Sequence, residues 1–187
     1  EMTAEEIVAL AQGCDVLVPT VTDRIDAALI EALPASVKLI ANFGAGVNHI
    51  DLKAAKARGI LVTNTPGVFT DDTADLTMAL ILNVPRRLGE GHRMMRSGEW
   101  KGWSPTGMLG HRVGGKTLGI VGFGRIGQAL ARRAALGFGM PVLYHGPRAV
   151  ELPELAGKSQ HMGLDALLAQ ADIVALTLPL NDETRGL

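Results

Sequence analysis

The chain has 187 residues, 47% hydrophobic and 20% charged, with a formal net charge of -1. Enough apolar residues are present for a globular core, and the near-zero charge excludes a broad nucleic-acid surface, which needs a clustered basic excess. The longest apolar run, Met78 to Leu82, falls far short of the roughly 20 residues that span a bilayer, so no membrane partner is expected.

The first residues, Glu1 to Glu6, are acidic and lack the basic-then-apolar order of a signal peptide. Thr3 with Glu6 has capping-box spacing and predicts a helix with Ile7, Val8 and Leu10 on its apolar face. Cys14 is the only cysteine, so no internal disulfide can form; it reads as a small core residue, and a reducing cytoplasm fits. Val16 to Val18 reads as a short buried strand. Asp23 is expected to cap a second helix that buries Ile25, Ala28, Leu29 and Leu33 and stops at Pro34. Strand 37–41, helix 51–58 closed by Gly59, strand 60–63 and turn 64–67 follow. Strands alternating with helices imply a parallel sheet covered on both faces.

One long helix is expected over 72–96, kinked by Pro85. Residues 97–115 form a glycine-rich arm with both tryptophans, Trp100 and Trp103, which are expected to pack against something. A second alternating unit follows: strand 117–121, helix 125–136, strand 141–144, helix 164–170 and strand 173–178, about half of a doubly wound dinucleotide domain.

Its first turn reads Gly122-Phe123-Gly124-Arg125-Ile126-Gly127. Alone, G-x-G-x-x-G is a weak signal, and a plain tight turn would also use glycines. Here it joins an apolar strand to a helix with Ile126, Leu130 and Ala134 inward. Gly122 permits the turn, Gly124 lets backbone approach a pyrophosphate, and Gly127 lets helix and strand pack closely. The helix N-terminus offers N–H groups and partial positive charge to phosphates, and Arg125 can add a charge-assisted contact. The next strand ends in Tyr144-His145-Gly146-Pro147-Arg148, where an NAD site usually carries an acid for the ribose hydroxyls. His145 and Arg148 can instead hold a 2′-phosphate, which predicts NADP(H) as preferred cofactor with NAD(H) possible. The plainer alternative is that Arg148 is a solvated loop residue.

The runs Lys38 to Asp51, Val62 to Gly67, Thr73-Ala74-Asp75, Gly115 to Gly127 and Leu178-Pro179-Leu180 together resemble the D-isomer-specific 2-hydroxyacid dehydrogenase family over nearly the whole chain. The wording is most similar to its glyoxylate and hydroxypyruvate reductase branch. The resemblance implies an α/β protein of two parallel-sheet domains. Residues 1–92 would be a flavodoxin-like substrate domain lacking its first strand. Residues 93–187 would be the first half of a Rossmann dinucleotide-binding domain with its Trp-containing arm. It implies reduction of a small 2-keto acid to the D-2-hydroxy acid by hydride transfer, in a cytoplasmic homodimer.

By the same resemblance, backbone at Ala45 and Gly46 holds the substrate carboxylate, Thr73 lies near the nicotinamide, and Pro179 and Thr184 lie beside the adenosine. Plainer readings are a turn, a helix first turn, and a strand end with its loop. Trp103 reads either as reaching toward a substrate site or as an anchor in a dimer interface. The family's catalytic Arg, Glu and His follow the last strand seen here, so no catalytic residue is assigned within this chain. His49, His92, His111, His145 and His161 lie outside that catalytic context, and His49 reads as part of a helix start. The chain thus resembles the middle of a longer polypeptide. Rivals are a formate or phosphoglycerate dehydrogenase of the same family, a dinucleotide-sensing scaffold, and an inactive fragment.

Overall fold

A computed structural model describes residues 2–187. The chain forms two compact units, divided between Phe69 and Thr70. The first contains α1 (Ala4–Leu10), β1 (Val16–Leu17), α2 (Ala27–Ala32), β2 (Leu39–Ala41), α3 (Leu52–Ala57) and β3 (Leu61–Thr63). Its strands form a parallel sheet in the order β1-β2-β3. Ile7, Ile25, Leu29, Ile30, Ile40, Ile50 and Ala55 make its core.

The capping box closes α1 as expected: the Thr3 hydroxyl accepts from Glu6 N–H and Glu6 accepts from Thr3 N–H. Leu10, however, is exposed and Ala11 is buried, because the inward position one turn after Ile7 is i+4. Asp26, not Asp23, caps α2, accepting from Leu29 N–H at 3.0 Å. Asp23 instead accepts from Thr20. Ile30 is buried on the inner face of α2, and Ala28 is exposed. Cys14 is exposed rather than in the core, its thiol directed at the Leu10 carbonyl at the end of α1. Asp51 caps α3, and Gly59 follows it with φ 69°, as expected.

The second unit contains α4 (Thr70–Arg86), α5 (Leu88–Ser97), β4 (Leu118–Val121), α6 (Arg125–Arg132), β5 (Val142–His145), β6 (Ser159–His161), α7 (Leu164–Leu168) and β7 (Ile173–Leu176). All four strands are parallel, in the order β6-β5-β4-β7. By order of appearance this is 3-2-1-4, the beginning of the doubly wound dinucleotide sheet. The core joins Leu118 and Ile120 of β4, Leu130 of α6, Val142 and Tyr144 of β5, and Ala74, Met78 and Ile81 of α4. This packing places α4 in the second unit by contact, whereas the sequence expectation put the division at 92/93.

Two helix expectations are corrected. The single kinked helix is two helices, broken at Arg87, whose φ of 54° is left-handed. The Pro85 carbonyl next to that break accepts from His111 N–H at 2.8 Å. Helix 125–136 leaves α geometry at Arg133 and ends in a π turn, Arg133–Gly137. Trp100 and Trp103 are exposed on this chain, Trp103 by 85%. No described helix is long and apolar enough to cross a membrane.

Candidate dinucleotide and carboxylate sites

The β4–α6 turn lies at the carboxyl end of β4, between neighbours β5 and β7 reached by crossovers of opposite direction. In open parallel sheets ligands bind at this switch point. Gly122 has φ 96°, and an added Cβ would meet the Leu178 backbone nitrogen at 2.7 Å. A Cβ on Gly127 would strike the Gly122 carbonyl and the Thr177 hydroxyl. These two glycines are required by the protein's own packing. Gly124 differs: a Cβ there would meet nothing within 4 Å. It is the residue before α6, and no side chain caps that helix. The open position and uncapped N–H groups fit a pyrophosphate resting on the helix end. Arg125 and half-buried Ile126 begin α6 beside it.

Thr177 is a site residue the sequence reading did not single out. Its hydroxyl donates to the Gly122 carbonyl at 2.5 Å, and its N–H donates to Val121. It therefore ties β7 to the glycine turn across the switch point. The available signal was a polar residue interrupting the apolar strand before Leu178-Pro179.

The end of β5 is held by β6. His145 Nδ1 donates to the Met162 carbonyl at 3.1 Å. In that tautomer Nε2 is left as a hydrogen-bond acceptor. His161 Nε2 donates to the Gly146 carbonyl at 3.0 Å. Phe123 stacks on Tyr144 at 3.8 Å between centroids, and His161 lies tilted against Tyr144 at 5.2 Å. Arg148 is exposed in the following bend.

Thr73 is half-buried in the first turn of α4, which packs on α6. Arg133 pairs with Asp71 and Asp75 of α4. The hydrogen bonds it donates to Asp75 and then to Asp71 hold its guanidinium above the usual arginine range. Thr184 donates to the Pro179 carbonyl at 2.6 Å, which closes the loop after β7.

In the first unit the Gly44–Gly46 turn follows β2. Asn42 is buried and donates through Nδ2 to the carbonyls of Gly44 (3.0 Å) and Gly46 (2.8 Å). Asn64 Nδ2 donates to Ala45 at 2.7 Å. Ala45 and Gly46 are exposed.

A parallel sheet in this strand order, with an uncapped helix after a glycine turn at its switch point, defines a Rossmann-type dinucleotide-binding unit. The NAD binding domain of D-isomer specific 2-hydroxyacid dehydrogenases matches residues 78–187. The chain belongs to that family. It is 50% identical over 175 residues to a glyoxylate reductase of Thermococcus litoralis, covering 91% of this chain and 52% of that protein. A crystal structure of a Thermus thermophilus protein superimposes with TM-score 0.89 at 47% identity, over 98% of this chain and 57% of the other. A glyoxylate reductase structure from Paecilomyes thermophila gives TM-score 0.85 at 36% identity, over 99% and 58%. The chain spans about half the length of the curated relatives it matches, 52% in the Thermococcus litoralis case.

Proposed function

We propose that the protein containing this chain is an NAD(P)-dependent reductase of a small 2-keto acid, glyoxylate or hydroxypyruvate, yielding the D-2-hydroxy acid. The observation that carries this reading is the open, uncapped turn at Gly124, on a chain sharing half its residues with a glyoxylate reductase. A dinucleotide held there supplies the hydride. Gly122, Gly124, Arg125, Ile126 and Gly127 hold its pyrophosphate, with Thr177 fixing the turn. Pro179 and Thr184 flank the adenosine, and Thr73 of α4 lies on the nicotinamide side. The N–H groups of Ala45 and Gly46 bind the substrate carboxylate. No residue of this chain is assigned as proton donor.

NADP(H) is the preferred cofactor in this proposal and NAD(H) is accepted. The support is the absence of a carboxylate at the end of β5, where His145 and Arg148 stand. The first unit serves in a substrate domain and the second is the first half of the dinucleotide domain, with α4 counted by packing to the second. The working form is a cytoplasmic homodimer, and exposed Trp103 is the surface feature that supports a covering partner.

Arg148→Ala tests the cofactor assignment. One charge-assisted contact contributes about 1.5–3 kcal/mol, or roughly ten- to a hundredfold in affinity. NADPH binding should weaken by that factor while NADH binding stays nearly unchanged, read by cofactor fluorescence titration. An equal loss for both would contradict the 2′-phosphate role.

A further inference from the structure

The only buried polar side chain in the described core is Asn42, 2% exposed. Such a group persists where its hydrogen bonds are satisfied, and its loss leaves partners unpaired. Asn42 spends both Nδ2 protons on one turn, at the Gly44 and Gly46 carbonyls. Its Oδ1 accepts from His49 Nε2 at 3.0 Å. That bond fixes which way the carboxamide faces: Oδ1 toward His49, Nδ2 toward the turn. His49 is itself anchored, its carbonyl accepting from Ile25 N–H at 2.8 Å. The remaining carbonyl, of Ala45, accepts from Asn64. Thr65 N–H gives Gly44 a second donor at 3.0 Å.

Three successive carbonyls are thus all engaged by the protein. The Gly44 N–H donates to the Asn42 carbonyl at 2.9 Å, which leaves the N–H groups of Ala45 and Gly46 as the turn's available hydrogen-bonding atoms, and successive N–H groups form an anion-binding concavity. Gly44 permits the arrangement, since a Cβ there would strike Val21 and crowd Asn42 Nδ2 at 3.4 Å. A Cβ on Gly46 would meet nothing within 4 Å, so the outer side of the turn is open.

We propose that Asn42, oriented by His49, is the positioning residue that sets the affinity of the Ala45–Gly46 turn for a carboxylate. This rests on the reading that the turn binds the substrate carboxylate. Neither side chain touches the substrate. Both act by keeping the carbonyls away from an anion that they would repel.

The test uses the full-length protein with saturating NADPH, and oxalate as the carboxylate probe. In His49→Phe the donor to Asn42 is gone. The KM for glyoxylate and the inhibition constant for oxalate should both rise about tenfold, the effect of one lost hydrogen bond of ordinary strength. The kcat should stay within about twofold, because the lost interaction serves the ground state and the transition state alike. His49→Asn, which restores a donor, should return oxalate binding toward the wild-type value. NADPH affinity should be equal in all three proteins. A merely structural role would lower thermal stability and kcat together, without rescue in oxalate affinity, and would overturn the proposal. Gly46→Pro removes one N–H and separates the two levels. If it leaves oxalate inhibition intact, the carboxylate reading of the turn fails and the positioning role with it. If it abolishes inhibition while His49→Phe does not alter it, only the positioning role of Asn42 and His49 is overturned.

Discussion

The glycines of the β4–α6 turn do two different jobs. At Gly122 a left-handed backbone and the adjacent Leu178 backbone exclude any side chain. An L-residue there bears about 1–2 kcal/mol of strain before the clash is counted, so Gly122→Ala should lower the melting temperature. Gly124 is neither left-handed nor crowded. Gly124→Ala should melt with the wild type yet bind NADPH and NADH at least tenfold more weakly, about 1.4 kcal/mol. Calorimetry beside fluorescence titration checks both. Normal cofactor binding by Gly124→Ala would remove the pyrophosphate from this turn. The glycines were legible in the sequence because spacing, strand and helix agreed. Thr177 and Asn42 were not, since each acts through a partner distant in sequence or by donating to backbone, and neither belongs to a spaced pattern. His49 reads from the sequence as part of a helix start, whereas its bond to Asn42 is a tertiary fact.

At the scale of elements, the strands that were legible are rich in apolar residues, whether central (β2, β4, β5) or at an edge (β1, β3, β7). β6 was missed because Ser159-Gln160-His161 has no apolar residue: it is an edge strand, defined by pairing with β5 rather than by burial. Its omission hid the contacts that hold His145 and Gly146. The broken helix was half legible. Pro85 marked the place, but the left-handed turn at Arg87 is supported by Glu90 and by the returning arm, through bonds to Glu90 and the Leu109 carbonyl. Asp172 fastens the opposite end of the dinucleotide sheet. Thr117 N–H, and then Lys116, hold its carboxyl below the usual range. A folded value below the unfolded one stabilises the fold above the unfolded pKa, roughly 3.9, and the effect is lost as pH falls through the folded value. The melting temperature of Asp172→Asn should therefore lie below wild type at neutral pH and converge on it as pH drops below about 4. A gap that persists unchanged into acid would mean the carboxylate charge is not what fastens β7 to β4.

For the whole molecule, the family was legible because several separated runs agree in wording and order. The grouping of helices by packing was less so, because α4 buries Ala74, Met78 and Ile81 in the same core as α6. The central claim is reduction of a 2-keto acid by a nicotinamide dinucleotide bound at the Gly122–Gly127 turn. Its most direct test is the oxidation of NADPH and of NADH by the full-length protein, followed at saturating glyoxylate and hydroxypyruvate. Turnover with either acid, faster with NADPH, is the predicted result. NADPH binding without turnover on either acid would contradict the reductase assignment and favour a dinucleotide sensor on the same fold.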